Sequence, residues 1–211
     1  MNLHIFGPGF STFVRSVRLY CEEKGLQYTY GMELNGQAIA FRSPEHLELH
    51  PFGKVPVLFH EKHKVFETTT ICRYLDDAFP DMCLCPEDPY EKANVNQWAN
   101  ALALYADYAL VRRYLLVVAP PVKPASTPCP AELINAEQKA IQMLAKLEEQ
   151  LGDHACFCGA TYSMADAILT PILDYLERLP GNAVWVEQQL PKLCAYLLHM
   201  RSRRSGLAVL S

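Results

Sequence analysis

The segment Pro51-Phe52-Gly53-Lys54-Val55-Pro56-Val57-Leu58-Phe59, followed by a charged turn and Lys64-Val65-Phe66-Glu67-Thr68, constrains this chain more than any other. Val55 to Phe59 and Val65-Phe66 are short β-rich apolar runs, and His60-Glu61-Lys62-His63 between them reads as a hairpin connection. Ile71, Tyr74 and Leu75 then recur at helical spacing, which predicts a helix with Thr68 as its N-cap. Pro56 donates nothing to a ladder, so the strand edge is interrupted there. A cis Val55–Pro56 bond, a minority state of about 5–6% of X–Pro bonds, would turn the Val55 N–H and C=O outward toward a ligand. Just beyond, the free N–H groups of a helix N-terminus attract a carboxylate, and a Thr hydroxyl adds a donor. A peptide-like ligand with an extended middle and an acidic end fits both features.

Ser43-Pro44-Glu45-His46-Leu47, Pro51 through Val57, and Phe66-Glu67-Thr68 together resemble the glutathione-binding domain of glutathione transferases, most closely the serine-type phi and related bacterial classes. The likeness runs nearly the whole chain. Ser11 to Leu26 resembles the catalytic loop and first helix, and Tyr162-Ser163-Met164-Ala165-Asp166 the start of a core helix in the second domain. The resemblance implies an α/β thioredoxin-like N-terminal domain (1–80), a linker (81–90) and an all-α domain (91–211) that forms an electrophile site.

The residues support that order independently. Leu3 to Phe6 reads as a strand, Phe13 to Lys24 as a helix stopped by Gly25, and Gln27 to Met32 as a second strand. With the hairpin and a helix from Thr69 to Ala78, the order suits a small mixed sheet covered by helices. Pro80, Pro86 and Pro89 with acidic neighbours mark the linker. Beyond Glu91 the chain reads as helical: Trp98, Leu102, Tyr105 and Ala109 recur at helical spacing, as do Ala140, Leu144, Leu147 and Leu151. The stretch from Pro120 to Pro130, with five prolines, reads as a loop. Ser163 and Asp166 form a capping-box pattern ahead of Ile168, Leu169, Ile172, Leu173 and Leu176, a stripe too apolar for a surface helix. Pro171 should kink that helix at a cost of about 3 kcal/mol.

Composition narrows the partners. Half of the 211 residues are hydrophobic and a fifth charged, and a net charge of -4 gives no reason to expect nucleic acid or an anionic membrane. Met1 to Gly7 lacks the basic and apolar regions of a signal peptide, and Tyr114 to Ala119 is too short to span a bilayer. Four of the eight cysteines are isolated and the others form C-x-C pairs, so they read as reduced thiols of a cytoplasmic protein. His60 and His63 lack a second ligand pair, and no metal is expected.

By position, Ser11 in Gly7-Pro8-Gly9-Phe10-Ser11 is an ordinary N-cap. By resemblance it is the catalytic hydroxyl, with Thr12 in reserve; Phe6 stands where tyrosine-type members carry their tyrosine. A free thiol ionises near ~8.5, so a donated hydrogen bond and a helix N-terminus are needed to favour the thiolate. Glu67 and Thr68 read locally as a helix-start acid and its cap. The resemblance assigns them the ammonium and carboxylate of the γ-glutamyl end, with Thr68 standing where serine is usual. It also assigns Phe10, Val55 and Pro56 to glutathione and Lys54 to its carboxylates. Arg42 goes to the glycine carboxylate, Phe41 replacing half of a basic pair. Phe10, Tyr105, Tyr108 and Arg112 are expected to form the electrophile site between the Phe10 loop and the Trp98 to Tyr114 helix. The resemblance further implies a detoxifying homodimer, with Phe52 as a contact and glutathione as co-substrate. The alternatives are a non-catalytic interaction module of the same fold, a glutathione-dependent isomerase or peroxidase, and a thiol oxidoreductase. The last needs a cysteine at Ser11. Ser11-Thr12-Phe13 also departs from the Ser-Ser-Cys run of zeta-type isomerases.

Overall fold

The computed structural model describes residues 3–119, 129–179, 183–186 and 190–211. The chain divides into two compact units, Met1–Ala93 with Arg201–Ser211, and Asn94–Met200. Arg201–Ser211 group with the first unit, whereas the expected helical domain extends through 211.

In the first unit β1 (Leu3–Phe6) leads to α1 (Thr12–Glu23) and then to β2 (Tyr28–Gly31), which pairs parallel with β1. β5 (Val57–His60) lies antiparallel on the other side of β1, and β6 (His63–Phe66) antiparallel to β5, giving the order β2-β1-β5-β6. With α1 and α3 (Thr68–Ala78) packed on the strands, this is the thioredoxin-like arrangement. Ile5, Phe6, Val14, Val17, Val57, Leu58, Ile71 and Leu75 are fully buried. Each such burial contributes about 1.5–3 kcal/mol.

Gly25 ends α1 as the sequence suggests. At φ 65° it donates to Glu22 O while Leu26 N donates to Cys21 O, the paired bonds of a left-handed C-terminal cap. Two elements were not anticipated. β3 (Glu33–Leu34) and β4 (Gln37–Ala38) form a ribbon about Asn35-Gly36, both at positive φ. α2 (Pro44–Leu49) starts at Ser43, whose Oγ accepts from His46 N, with Pro44 in the first turn. At the hairpin, His60 and His63 pair as strand ends and Glu61-Lys62 makes the turn; the His60 ring is half-buried and bonded to Tyr74 Oη at 2.7 Å.

Two polar clusters anchor α1. The Lys24 ammonium, fully buried, donates to Asp76 Oδ1 (2.9 Å), Phe79 O (3.1 Å) and Met82 O (2.5 Å), and Tyr20 Oη donates to Asp76 Oδ2 (2.5 Å). At the end of the chain, α10 (Arg204–Val209) packs on α1: Leu19 joins Val209 and Leu210, and Arg203 grips Glu23 with two bonds of 2.8 and 2.6 Å.

In the second unit, α4 (Pro89–Ala101) reaches in from the first and continues as a π-helical run, Leu102–Leu115, and a short α5 (Leu116–Val118). The expected stripe fails here: Leu102 is buried but Tyr105 is 66% exposed. The π turn carries more residues than the 3.6 of an α-helix, so burial recurs every four at Ala106-Asp107, Leu110-Val111 and Tyr114-Leu115. α6 (Pro130–Leu151) packs on this run with Ala140, Leu144, Leu147 and Leu151 inward, as their spacing predicts. Pro130 opens that helix; the rest of the proline-rich stretch, 120–128, lies outside the described residues. α7 (Met164–Glu177) is buried along nearly its whole length and continues through Pro171. Asp166 accepts from the N–H groups of Ser163 (2.8 Å) and Phe157 (2.7 Å) and from Tyr196 Oη, and burial raises its carboxyl above the usual range. α8 (Ala183–Val186) and α9 (Pro191–Ser202) complete the helices. No disulfide joins the eight cysteines.

Candidate functional site

Register assembles the site. Phe6 at the end of β1 pairs with Val57 at the start of β5, and Val57 pairs with Phe66 at the end of β6. The loop after β1, the Val55-Pro56 segment and the Glu67-Thr68 junction therefore emerge at one end of the sheet. The Val55–Pro56 bond is cis. A Cβ on Gly7 would lie 3.0 Å from Val55 Cβ and 2.5 Å from Val14 Cγ2, so only glycine lets the two segments approach this closely.

Ser11 is the N-cap of α1, its Oγ accepting from Val14 N at 3.4 Å. Capping uses a lone pair and leaves the hydroxyl proton to point outward. The local reading and the catalytic one are therefore compatible in a single side chain. Thr12, the reserve hydroxyl, is only 8% exposed, in the first helical turn. No acid lies in the first turn of α1 to offset the positive end of its dipole. Arg15, which the sequence reading passed over, donates from Nε to Gly9 O at 3.3 Å and brings a guanidinium beside the loop. Its position one turn after Ser11 was the available signal. Phe10 is 65% exposed at the loop tip.

At α3 the structure corrects the cap. Glu67, not Thr68, is the N-cap: its φ of 69° is incompatible with helix, so helical geometry begins at Thr68. Glu67 makes no side-chain cap bond, which leaves the first N–H groups of α3 without a side-chain acceptor. A non-glycine residue at such a φ is strained and typical of ligand sites. Its carboxylate is largely exposed, 4.0 Å from the ring of buried His50. Burial lowers the His50 pKa while Glu67 opposes that shift, and His50 Nδ1 accepts from Phe52 N at 3.2 Å.

Arg42 and Lys54 are exposed cations, Lys54 immediately before Val55. Arg42, at φ 62°, lies against Gly53: a Cβ there would sit 3.3 Å from Arg42 Cγ. The buried His46 ring connects the two, with Arg42 N donating to Nδ1 (2.9 Å) and Nε2 bonded to Lys54 O (3.0 Å). Phe52 is 71% exposed.

Ser11, Phe10, Arg42, Lys54, Val55, Pro56, Glu67 and Thr68 all lie in the first unit. Tyr105, Tyr108 and Arg112 lie in the second, on the π-helical run. Both tyrosines are exposed, unlike a core stripe, and Arg112 Nε pairs with Asp107 at 2.9 Å. Among the described residues no cluster of His, Cys, Asp or Glu is arranged to hold a metal ion, and no helix is long and apolar enough to cross a membrane.

The family models for the N-terminal and C-terminal domains of glutathione S-transferase match residues 1–77 and 105–204. Glutathione S-transferase F10 of Arabidopsis thaliana is 31% identical over 190 residues, covering 87% of this chain and 85% of its own. A probable glutathione S-transferase of Solanum tuberosum is 26% identical, with 92% and 84% covered. The crystal structure of poplar glutathione transferase F1 superposes with a TM-score of 0.83 at 25% identity, covering 100% of this chain and 97% of that one. The chain belongs to the glutathione S-transferase family, and its general function is that of a glutathione transferase enzyme.

Proposed function

We propose that the protein activates the thiol of glutathione at Ser11 and transfers it to small apolar electrophiles. One observation carries this reading: the strand register gathers the Ser11 loop, Val55 and the uncapped start of α3 at one sheet end, with charges that complement glutathione. Glutathione presents two carboxylates, an ammonium and a thiol. Thr68 and the α3 N–H groups receive the γ-glutamyl carboxylate, Glu67 its ammonium, Arg42 and Lys54 the glycine carboxylate, and the Val55 backbone the cysteinyl part. The thiol then sits at Ser11, whose proton, with the α1 dipole and Arg15, favours the thiolate. Attack forms the carbon–sulfur bond, and the displaced group leaves with the electron pair, or a proton quenches the adduct. The electrophile is assigned to Tyr105, Tyr108 and Arg112 of the second unit. The protein works as a cytoplasmic homodimer, with Phe52 at the subunit contact.

Calorimetry with glutathione, coupled to turnover of an activated aryl halide, tests the reading. Saturable binding with turnover supports it. Binding without turnover against a broad electrophile panel favours the interaction module, and absence of binding overturns it. Sedimentation showing only monomer at micromolar concentration removes the dimer.

A further inference from the structure

His46 is fully buried, yet nothing in the reaction touches it. It sits in α2, and its ring lies 5.4 Å from Phe6 on β1 and 5.2 Å from Phe41. Both ring nitrogens are committed. Arg42 N–H donates to Nδ1, so that nitrogen carries no proton. Nε2 faces Lys54 C=O, which only accepts, so the ring proton is on Nε2. One side chain therefore ties together the backbones of two cations that are twelve residues apart in sequence, Arg42 and Lys54. One of the tied segments is in a conformation that needs holding: Arg42, a non-glycine residue, has φ of 62°.

We propose that His46 is a positioning residue for the glycine end of glutathione: by bonding Arg42 N–H and Lys54 C=O at once, it fixes the separation of the two cations that receive that carboxylate. It acts through those cations and not on the thiol. The proposal rests on the assignment of Arg42 and Lys54 above. A hydrophobic side chain of similar size would fill the space between Phe6 and Phe41 but would take their partner from the Arg42 N–H and the Lys54 C=O. A short amide keeps only one of the two ties. His46→Asn can still accept from Arg42, and His46→Gln can still reach Lys54.

The test compares glutathione with γ-glutamylcysteine, which lacks the glycine carboxylate, on the wild type and both variants. Wild type should bind glutathione about tenfold more tightly than γ-glutamylcysteine. Each variant should lose about tenfold in glutathione affinity while its affinity for γ-glutamylcysteine changes less than twofold. Turnover at saturating glutathione and its pH profile should be retained, since Ser11 is undisturbed. Equal losses for both ligands would mean a merely structural residue and overturn the positioning role alone. A wild type that does not distinguish the two ligands overturns the assignment of Arg42 and Lys54, and the positioning role with it. If neither variant folds, ring ¹⁵N spectra of the wild type decide: protonation on Nδ1 overturns the proposal, and protonation on Nε2 with a slowly exchanging Arg42 amide upholds it.

Discussion

Replacing Ser11 separates the capping role seen in the structure from the thiolate-stabilising role proposed for the same hydroxyl. Its oxygen accepts from Val14 N, and its proton is available to sulfur. Ser11→Ala removes both. Loss of an N-cap costs about 0.5–2 kcal/mol, and a 3.4 Å bond belongs at the low end. Loss of a hydrogen bond to a charged sulfur costs about 1.5–3 kcal/mol, which is about one to two units in the pKa of bound glutathione. Turnover at neutral pH should therefore fall about tenfold to a hundredfold, and the deficit should shrink as pH rises toward the free thiol value of ~8.5. Glutathione affinity should stay nearly constant, because the proposed assignment leaves Val55, Glu67 and Thr68 to bind the rest of the molecule. Ser11→Asp sharpens the comparison: it caps the helix at least as well but donates no proton and places a negative charge beside the thiolate. Its unfolding midpoint should match wild type while its thiol pKa rises further than in Ser11→Ala. Absorbance of the thiolate titrated in the binary complex, read beside the pH–rate profile, measures this directly. An unaltered titration in a folded Ser11→Ala enzyme refutes the reasoning and transfers the role to Thr12 or to Arg15.

Lys24→Met should destabilise the protein by about 3–5 kcal/mol in urea titration, because it strips Asp76 of its buried cation; a loss under about 1 kcal/mol would contradict that account. Glu67→Ala should weaken glutathione binding about ten- to hundredfold by calorimetry, through an unpaired ligand ammonium, and should change folding stability little, since alanine keeps the Cβ and with it the strain at φ 69°. His50 has a folded pKa below its ordinary value of about 6.5, so the stability it contributes is complete above that pH and is lost as pH falls through the folded value. His50→Asn, which keeps an acceptor for Phe52 N–H, should flatten that acid limb of a denaturation-midpoint profile. An unchanged limb would assign it to other groups.

The sheet unit was legible because its signals are local. Gly25 needs a left-handed cap, Val57 and Phe66 lie in short apolar runs, and Ser163-Met164-Ala165-Asp166 writes its own cap. The ribbon at Asn35-Gly36 and the helix at Ser43-Pro44-Glu45 carried equally local signals that were passed over. Other features were not local at all. Glu67 takes the cap from Thr68 because of a backbone angle that no spacing encodes. The π-helical run spoils a 3.6 period, so Tyr105 was placed in a stripe that the structure turns to the surface. The liaison of Arg42, His46 and Lys54 depends on two chain segments meeting, and only coordinates reveal it.

The grip of Arg203 and Ser205 on Glu23 spans 180 and 182 residues of sequence. During synthesis, the helix that presents Ser11 emerges early, but the residues that clasp its far end leave the ribosome only after the intervening helical unit has been made. The nascent sheet unit must wait, incomplete, with Leu19 uncovered until Val209 and Leu210 arrive. Completion of the sheet unit thus awaits synthesis of Arg201–Ser211, although every other part of that unit precedes Asn94.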